Sequence, residues 1–456
     1  MIREFQRAAA IATLVSVLVS CASERGAVIR EVMETTESSV DGVIAAGTLL
    51  TATEVKRIPA RKPRAMLAIA SPLVLDRAID MSVLEGIGYA GWRDERGDGL
   101  HDVKRIRISF LARLPEGGLD RQSGMLFLPV PRSGESAKLT WIVFLRWTEH
   151  LRDEVPSREG GSERSLMEAA AALGYAVWAP DYAGAGDSAG AQEYCVPESM
   201  AASALDGLAA ARSYLADGHR SRYAETGRLA VLGYSQGGLA AMSTLRALSD
   251  GSIPVPGLRL AAGYALGAPL DLLIGVPFRE EGGSVVARPD YSVLLAMGWA
   301  RAYPDSIKLE EILLPGVIAN VVPLFDGLRD GDELCKLIAE AVGKKTDEVL
   351  DADLYRPEYL SALGTAPDTV PLYAAQDEYR LDRWTPPADY PIVIAASPDD
   401  EIVPFGNSAG AYGWIKEKNP AADVSLVRLA SDSHGRAGLE GLLYALVDID
   451  KREREE

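Results

Sequence analysis

The chain has 456 residues, 48% of them apolar and 25% charged, a balance that supports a sizeable core and excludes disordered or collagen-like classes. Its formal net charge of −18 and pI near 4.8 repel phosphate backbones, so nucleic acid is not an expected partner. Three cysteines, Cys21, Cys195 and Cys335, are too few for a disulfide-dense scaffold and include no CxxC pair for zinc.

At the N-terminus, Arg3 and Arg7 precede an apolar run from Ala8 to Val19. A bilayer span takes about 20 apolar residues, so this run fits the hydrophobic part of a secretory signal better. It ends in Leu18-Val19-Ser20-Cys21, which resembles the lipobox of bacterial lipoproteins. The resemblance implies that residues 1–20 are removed as a signal peptide and that Cys21 carries a lipid. Ala22 and Ser23 follow with no aspartate after the cysteine, which by the same resemblance implies the outer membrane. The expected product is an exported body of the cell envelope, held to the membrane by its N-terminal lipid. An ordinary cleaved signal, or a short anchor helix with an incidental cysteine, is the alternative. An oxidising compartment also permits a Cys195–Cys335 bond, which the sequence leaves open.

Residues 21–102 read as an N-terminal extension of mixed helical patterns around the basic linker KRIPARKPR. From Val103 the pattern turns β-rich, in VKRIRISFLARL, RQSGMLFLPV and KLTWIVFLRW, separated by the turn signals PEGG and PRSGES. Helix and strand then alternate through SLMEAAAAL, YAVWAPDY, ESMAASALDGLAAARSYLAD, RLAVLGY, GGLAAMSTLRALS and LRLAAGYAL. Alternation of this kind predicts a mostly parallel sheet flanked by helices. It defines a first part of an α/β core over residues 103–267. Residues 268–385 hold helical stretches without clear strands, an insertion too long for an ordinary loop. PIVIAA and VSLVRLA, with the helical FGNSAGAYGWIKEKN between them, complete the core over residues 386–456, and the KREREE tail reads as a solvated charge run.

The strongest motif is Gly233-Tyr234-Ser235-Gln236-Gly237, a G-x-S-x-G sequence between strand RLAVLGY and the helix after it. A serine on such a turn is a candidate nucleophile: glycines at Gly233 and Gly237 let backbone pass closely, and the next helix turns its N-terminus toward a developing oxyanion. Serine needs a base. The motif resembles the elbow of α/β-hydrolases, in which the order serine, acid, histidine implies a base downstream of Ser235; of the four histidines, His101, His150, His219 and His434, only His434 lies there, in the polar loop SDSHGRAG after a strand. The other three read as surface or supporting residues, and their scatter gives no metal-ligand spacing, so no metal is expected. The loop after PIVIAA supplies Asp399, Asp400 and Glu401; its D-x-x-V-P pattern resembles the acid loop of many α/β-hydrolases, which implies Asp400 as the acid that orients the imidazole, with Asp399 as the fallback.

Together these stretches resemble the secretory-lipase-like branch of the α/β-hydrolase superfamily, from about Val103 to the C-terminus. GYSQGG is similar to that group's elbow, GYAVWAPDYAGAGDS to its GYxVxxPDYxGxG segment, SALDGLAAAR to the helix carrying Asp206, and DRWTPPADYPIVIAASPDDEIVP to the stretch leading to the acid. The resemblance implies an α/β-hydrolase fold with a helical cap at residues 268–385. It further implies carboxylic-ester hydrolysis through an acyl-enzyme, a small-molecule or lipid ester as substrate, and no cofactor. Asp181, Asp187 and Asp206 are expected to brace loops. One departure concerns the oxyanion hole. Where the family has His-Gly-Thr, this chain has Arg146-Trp147-Thr148, so the expected donors are the amides of Gln236 and Thr148, with Trp147 adding bulk beside Ser235. Acyl transfer uses the same residues, and a catalytically impaired binding lipoprotein is the reading that Arg146-Trp147 favours.

Overall fold

The structure, a computed structural model, describes residues 45–63, 79–96, 99–219, 221–275 and 285–455. The expected signal peptide and Cys21 lie outside the described residues.

Among the described residues nine strands form one sheet in the order β1-β2-β3-β5-β4-β6-β7-β8-β9. The strands are β1 (Leu49–Ile58), β2 (Val103–Arg113), β3 (Leu119–Pro129), β4 (Ala137–Leu145), β5 (Ala176–Pro180), β6 (Tyr223–Tyr234), β7 (Arg259–Leu266), β8 (Ile392–Ala396) and β9 (Val424–Arg428). From β5 through β4 to β9 every pairing is parallel; β1, β2 and β3 join the edge antiparallel. The sheet is therefore the mostly parallel one expected. Strand β1 falls in the stretch read as an extension. Its charged Glu54, Lys56 and Arg57 suit an edge strand and mask its periodicity; Glu54 pairs with Lys104 at 2.7 Å and Arg57 with Asp102 at 2.8 Å.

The central strands are near-continuous apolar runs because both faces are covered. Trp141, Val143 and Leu145 of β4, with Leu229 and Val231 of β6, pack beneath α2 (Pro197–Ala216) and α3 (Gln236–Ser249). The intervening Ile142, Phe144, Ala230, Leu232 and Tyr234 face α1 (Arg164–Ala172) and α7 (His434–Glu455). Trp178 of β5 sits against Phe110, ring centroids 5.6 Å apart, and takes the space that any Cβ at Gly207 of α2 would fill.

Between β7 and β8 the chain forms helices, chiefly α4 (Pro289–Ala302) and α5 (Gly331–Ala341), with Pro357–Thr365 and Pro371–Glu378. The described β contacts there are the isolated bridges Val285–Leu350 and Leu313–Tyr355. Helix α6 (Phe405–Lys418) then links β8 to β9.

One expectation changes, and one open possibility is decided. The KREREE tail is not a free charge run: residues through Glu455 continue α7, and the Glu453 carboxylate accepts from Arg228 Nε at 2.6 Å and Thr140 Oγ1 at 2.8 Å. The possible Cys195–Cys335 bond is absent, both side chains being buried free thiols. Burial pushes each thiol up to about 12. The three carboxylates expected to brace loops do so. Asp206 holds Arg113, Asp187 holds Arg107 and Arg158, and buried Asp181 accepts from Ser123 Oγ and the Ser157 amide.

Candidate active site

Strand β6 ends at Tyr234, and the chain turns into α3 through Ser235, whose φ of 58° and ψ of −121° place a non-glycine residue in strained backbone. Neighbouring glycines make this turn possible. A Cβ on Gly237 would lie 2.0 Å from the Leu145 carbonyl oxygen, and one on Gly233 would lie 2.2 Å from the Gly237 oxygen. The Ser235 amide is fixed to Leu266 O at 2.8 Å, so β7 clamps the turn from the other side. The residue is only 9% exposed.

His434 opens α7, and its side chain bridges two others. Nε2 lies 2.9 Å from Ser235 Oγ, and Nδ1 lies 2.7 Å from Asp400 Oδ2. A carboxylate can only accept, so Nδ1 carries the proton toward Asp400 and Nε2 is left to accept from the serine hydroxyl. The other Asp400 oxygen accepts from the amides of Ile402 and Val403, at 2.9 and 2.8 Å. Asp399 instead points its side chain to an exposed position, so of the two acid candidates Asp400 is the one brought to the imidazole.

Three further residues hold this arrangement, and the sequence reading missed them. Glu401 Oε2 accepts the His434 amide at 2.8 Å, meeting an unpaired N–H at the helix start. Glu440, one and a half turns along α7, reaches back to accept the amides of Ala430 and Ser431, and burial raises its carboxyl above the usual range. Tyr234, the second residue of the motif, donates its hydroxyl to the His434 carbonyl at 2.6 Å and stands 3.4 Å from Asp400 Oδ2. Burial, then the nearby Asp400 charge, raises its phenol well above 10. Only an aromatic residue preceding the serine could have signalled this role.

The loop after β4 carries the residues that depart from His-Gly-Thr. Arg146 is 1% exposed and turns into the protein, donating through Nε and Nη2 to Asp181 O at 3.1 and 2.7 Å and through Nη1 to Trp147 O. Its guanidinium lies 4.7 Å over the Tyr182 ring. The Trp147 indole lies 3.5 Å from the place a Cβ on Gly438 would take, so its bulk rests on α7, one turn beyond His434. The Trp147 amide is occupied, donating to Glu163 Oε1 at 2.8 Å. Thr148 Oγ1 pairs with the Tyr194 hydroxyl at 3.0 Å. Gln236 starts α3, where the first amides have no partner within the helix.

His150 is not at the surface. It is buried, and its Nε2 lies 2.7 Å from Asp290 Oδ2 on α4, a carboxylate also held by Arg288 and Cys335. Burial lowers the His150 pKa below its ordinary value. His101 and His219 stand apart from this site, His219 against Tyr214 with ring centroids 4.7 Å apart. Among the described residues no group of three or more His, Cys, Asp or Glu is placed to hold a metal.

Comparison with known proteins places this geometry in context. The secretory lipase family model matches residues 156–305, a stretch that contains Ser235 and stops short of Asp400 and His434. No curated protein sequence matches the chain. Among solved structures, the rice cell wall degrading esterase LipA from Xanthomonas oryzae is similar, with 21% identity and a TM-score of 0.68, over 90% of this chain and 98% of that one. A protein from Legionella pneumophila has 20% identity and a TM-score of 0.68, over 90% and 99%. Candida antarctica lipase A in its closed state has 16% identity and a TM-score of 0.58, over 90% and 82%. At these identities the likeness shows the fold, and the fold of this protein is that of the α/β-hydrolases.

Proposed function

We propose that the protein hydrolyses carboxylic esters through a Ser235–His434–Asp400 triad. The observation that carries this reading is the imidazole of His434, which lies within hydrogen-bond reach of both Ser235 Oγ and Asp400 Oδ2. Ser235 Oγ attacks the ester carbonyl carbon as His434 Nε2 takes its proton. The amides of Gln236 and Thr148 receive the oxyanion. The tetrahedral intermediate collapses, and the alcohol leaves with the proton from His434. Water then attacks the acyl-enzyme, again giving its proton to His434, and the acid is released with Ser235 restored. Asp400 keeps Nδ1 protonated and stabilises the imidazolium.

The inward turn of Arg146 supports this reading over an impaired binding protein, because the guanidinium is engaged by Asp181 O and Trp147 O. A fluorophosphonate probe should label the wild-type protein, and Ser235→Ala should abolish the label. Labelling that persists in the variant would sink the assignment.

The proposed setting is the cell envelope, with the protein exported and anchored by lipid at Cys21. Among the described residues no helix is long and apolar enough to cross a membrane. Cys21→Ala should release the protein from the membrane fraction, whereas unchanged partitioning would count against a lipid anchor.

A further inference from the structure

The loop that follows β4 carries Thr148, one of the two proposed oxyanion donors, and the packing around that loop is specific. Its carbonyls at Leu145 and Arg146 press on Gly237, two residues beyond Ser235. The Tyr182 hydroxyl donates to Arg146 O at 3.2 Å, Gln192 Nε2 donates to Glu149 O at 2.7 Å, and the amide of Arg152 donates to Gly327 O at 2.9 Å. These contacts restrain carbonyls and the far end of the loop. At the centre, the amide immediately before that of Thr148 belongs to Trp147, and it donates to a single side-chain oxygen, Oε1 of Glu163 at 2.8 Å.

Glu163 comes from outside the site. It directly precedes α1, on the helix layer behind the sheet, and is 3% exposed. A buried carboxyl is costly unless its hydrogen bonds are met, and the Trp147 amide is a donor that meets this one. Residues 146–150 leave β4 with neither helix nor turn. The next peptide, which carries the Thr148 N–H, has its carbonyl at Trp147 held by Arg146 Nη1 at 2.9 Å, so the two peptides flanking Trp147 are each anchored by one side chain.

We propose that Glu163 is a positioning residue: by accepting the Trp147 amide it fixes the Arg146–Trp147 peptide and so restrains the backbone that carries the next amide, that of Thr148, to the oxyanion. The proposal rests on the ester-hydrolase reading. Glu163 touches neither substrate nor nucleophile and acts through one backbone hydrogen bond. What it supplies is an acceptor, and a neutral amide oxygen can replace it. Burial supports that view, since it lifts the Glu163 carboxyl to about 8, so near neutral pH the group accepts mostly as the uncharged acid.

The discriminating experiment compares Glu163→Gln, which keeps the acceptor, with Glu163→Leu, which fills the space without one. Steady-state hydrolysis of a short-chain chromogenic ester should show kcat falling on the order of 10- to 100-fold in Glu163→Leu, with KM little changed. Glu163→Gln should recover kcat to within about threefold of wild type. Hydrogen exchange over residues 146–149 should be fast in Glu163→Leu and slow in wild type and Glu163→Gln, and circular dichroism should show all three folded. A folded Glu163→Leu with wild-type kcat overturns the proposal, and so does a Glu163→Gln as slow as Glu163→Leu. If wild type hydrolyses no ester, the ester-hydrolase reading fails instead. Exchange still tests the hydrogen bond in that case, and equal protection in all three proteins overturns it.

Discussion

The Tyr234 hydroxyl donates to the main-chain carbonyl of His434 at 2.6 Å, so the residue before the proposed nucleophile holds the residue that would activate it. This buried contact joins the end of β6 to the first turn of α7. Gly267 and Gly438 make room for the phenol, whose ring lies 2.6 Å and 3.1 Å from the positions their Cβ atoms would take. Removing the hydroxyl leaves the carbonyl without this donor and loosens the imidazole. Tyr234→Phe should lower kcat about tenfold with little change in KM, and should reduce stability by about 1–2 kcal/mol. Steady-state kinetics and thermal unfolding of the variant check both numbers.

The two neighbouring aspartates should separate cleanly. Asp400 is buried, with the imidazole on one oxygen and two amides on the other, whereas Asp399 is exposed. Asp400→Asn forces the wrong tautomer on His434, a change that costs on the order of 10⁴-fold in kcat in a serine-protease triad. Asp399→Asn should stay within about twofold of wild type, as surface substitutions do. Parallel rate measurements on the pair decide the matter, and comparable losses in both variants would remove Asp400 from its assigned role.

Stability should depend on pH through Glu163. Burial raises its carboxyl from 4.5 to about 8, with Arg146 opposing the rise and Glu149 adding to it. Between those values the folded protein holds a proton that the unfolded chain releases. The group's contribution to stability is therefore complete below pH 4.5 and is lost progressively as pH rises to about 8. Glu163→Gln cannot ionise. Its melting temperature should fall less than that of wild type between pH 5 and pH 9, as unfolding followed across that range would show.

Arg146 should matter to stability first. Its guanidinium donates to Asp181 O and Trp147 O from a site 1% exposed, tying the end of β4 to the loop after β5. Arg146→Ala leaves those carbonyls short of donors and opens a void, which should cost about 2–4 kcal/mol. Arg146→Lys should recover only part of that, since an ammonium cannot reproduce the fork. Denaturant midpoints for the two variants test the ranking.

Much of the site was legible in the chain itself. Ser235 was identifiable because its turn is encoded by adjacent residues: an apolar strand before it and small residues at Gly233, Gly237 and Gly238 beside it. The candidates Asp400 and His434 came from the resemblance to α/β-hydrolases, each standing in a polar loop after a short apolar strand. The alternation of strands and helices likewise predicted the mostly parallel sheet. Signals of this kind are local, since strand period, turn residues and motif spacing depend on chain neighbours.

Tertiary structure alone decided which groups meet. Trp147 and Glu163 are 16 residues apart, His150 and Asp290 are 140 apart, and Tyr234 and the His434 carbonyl are 200 apart. No sequence spacing encodes those pairs, because each partner is chosen by how helices and loops pack against the sheet. The same is true of Arg146: the sequence marked it only as a departure from His-Gly-Thr, and in the fold its guanidinium meets the carbonyls of Asp181 and Trp147 inside the protein. A buried charge goes where its hydrogen bonds can be met, and only the folded chain determines where that is.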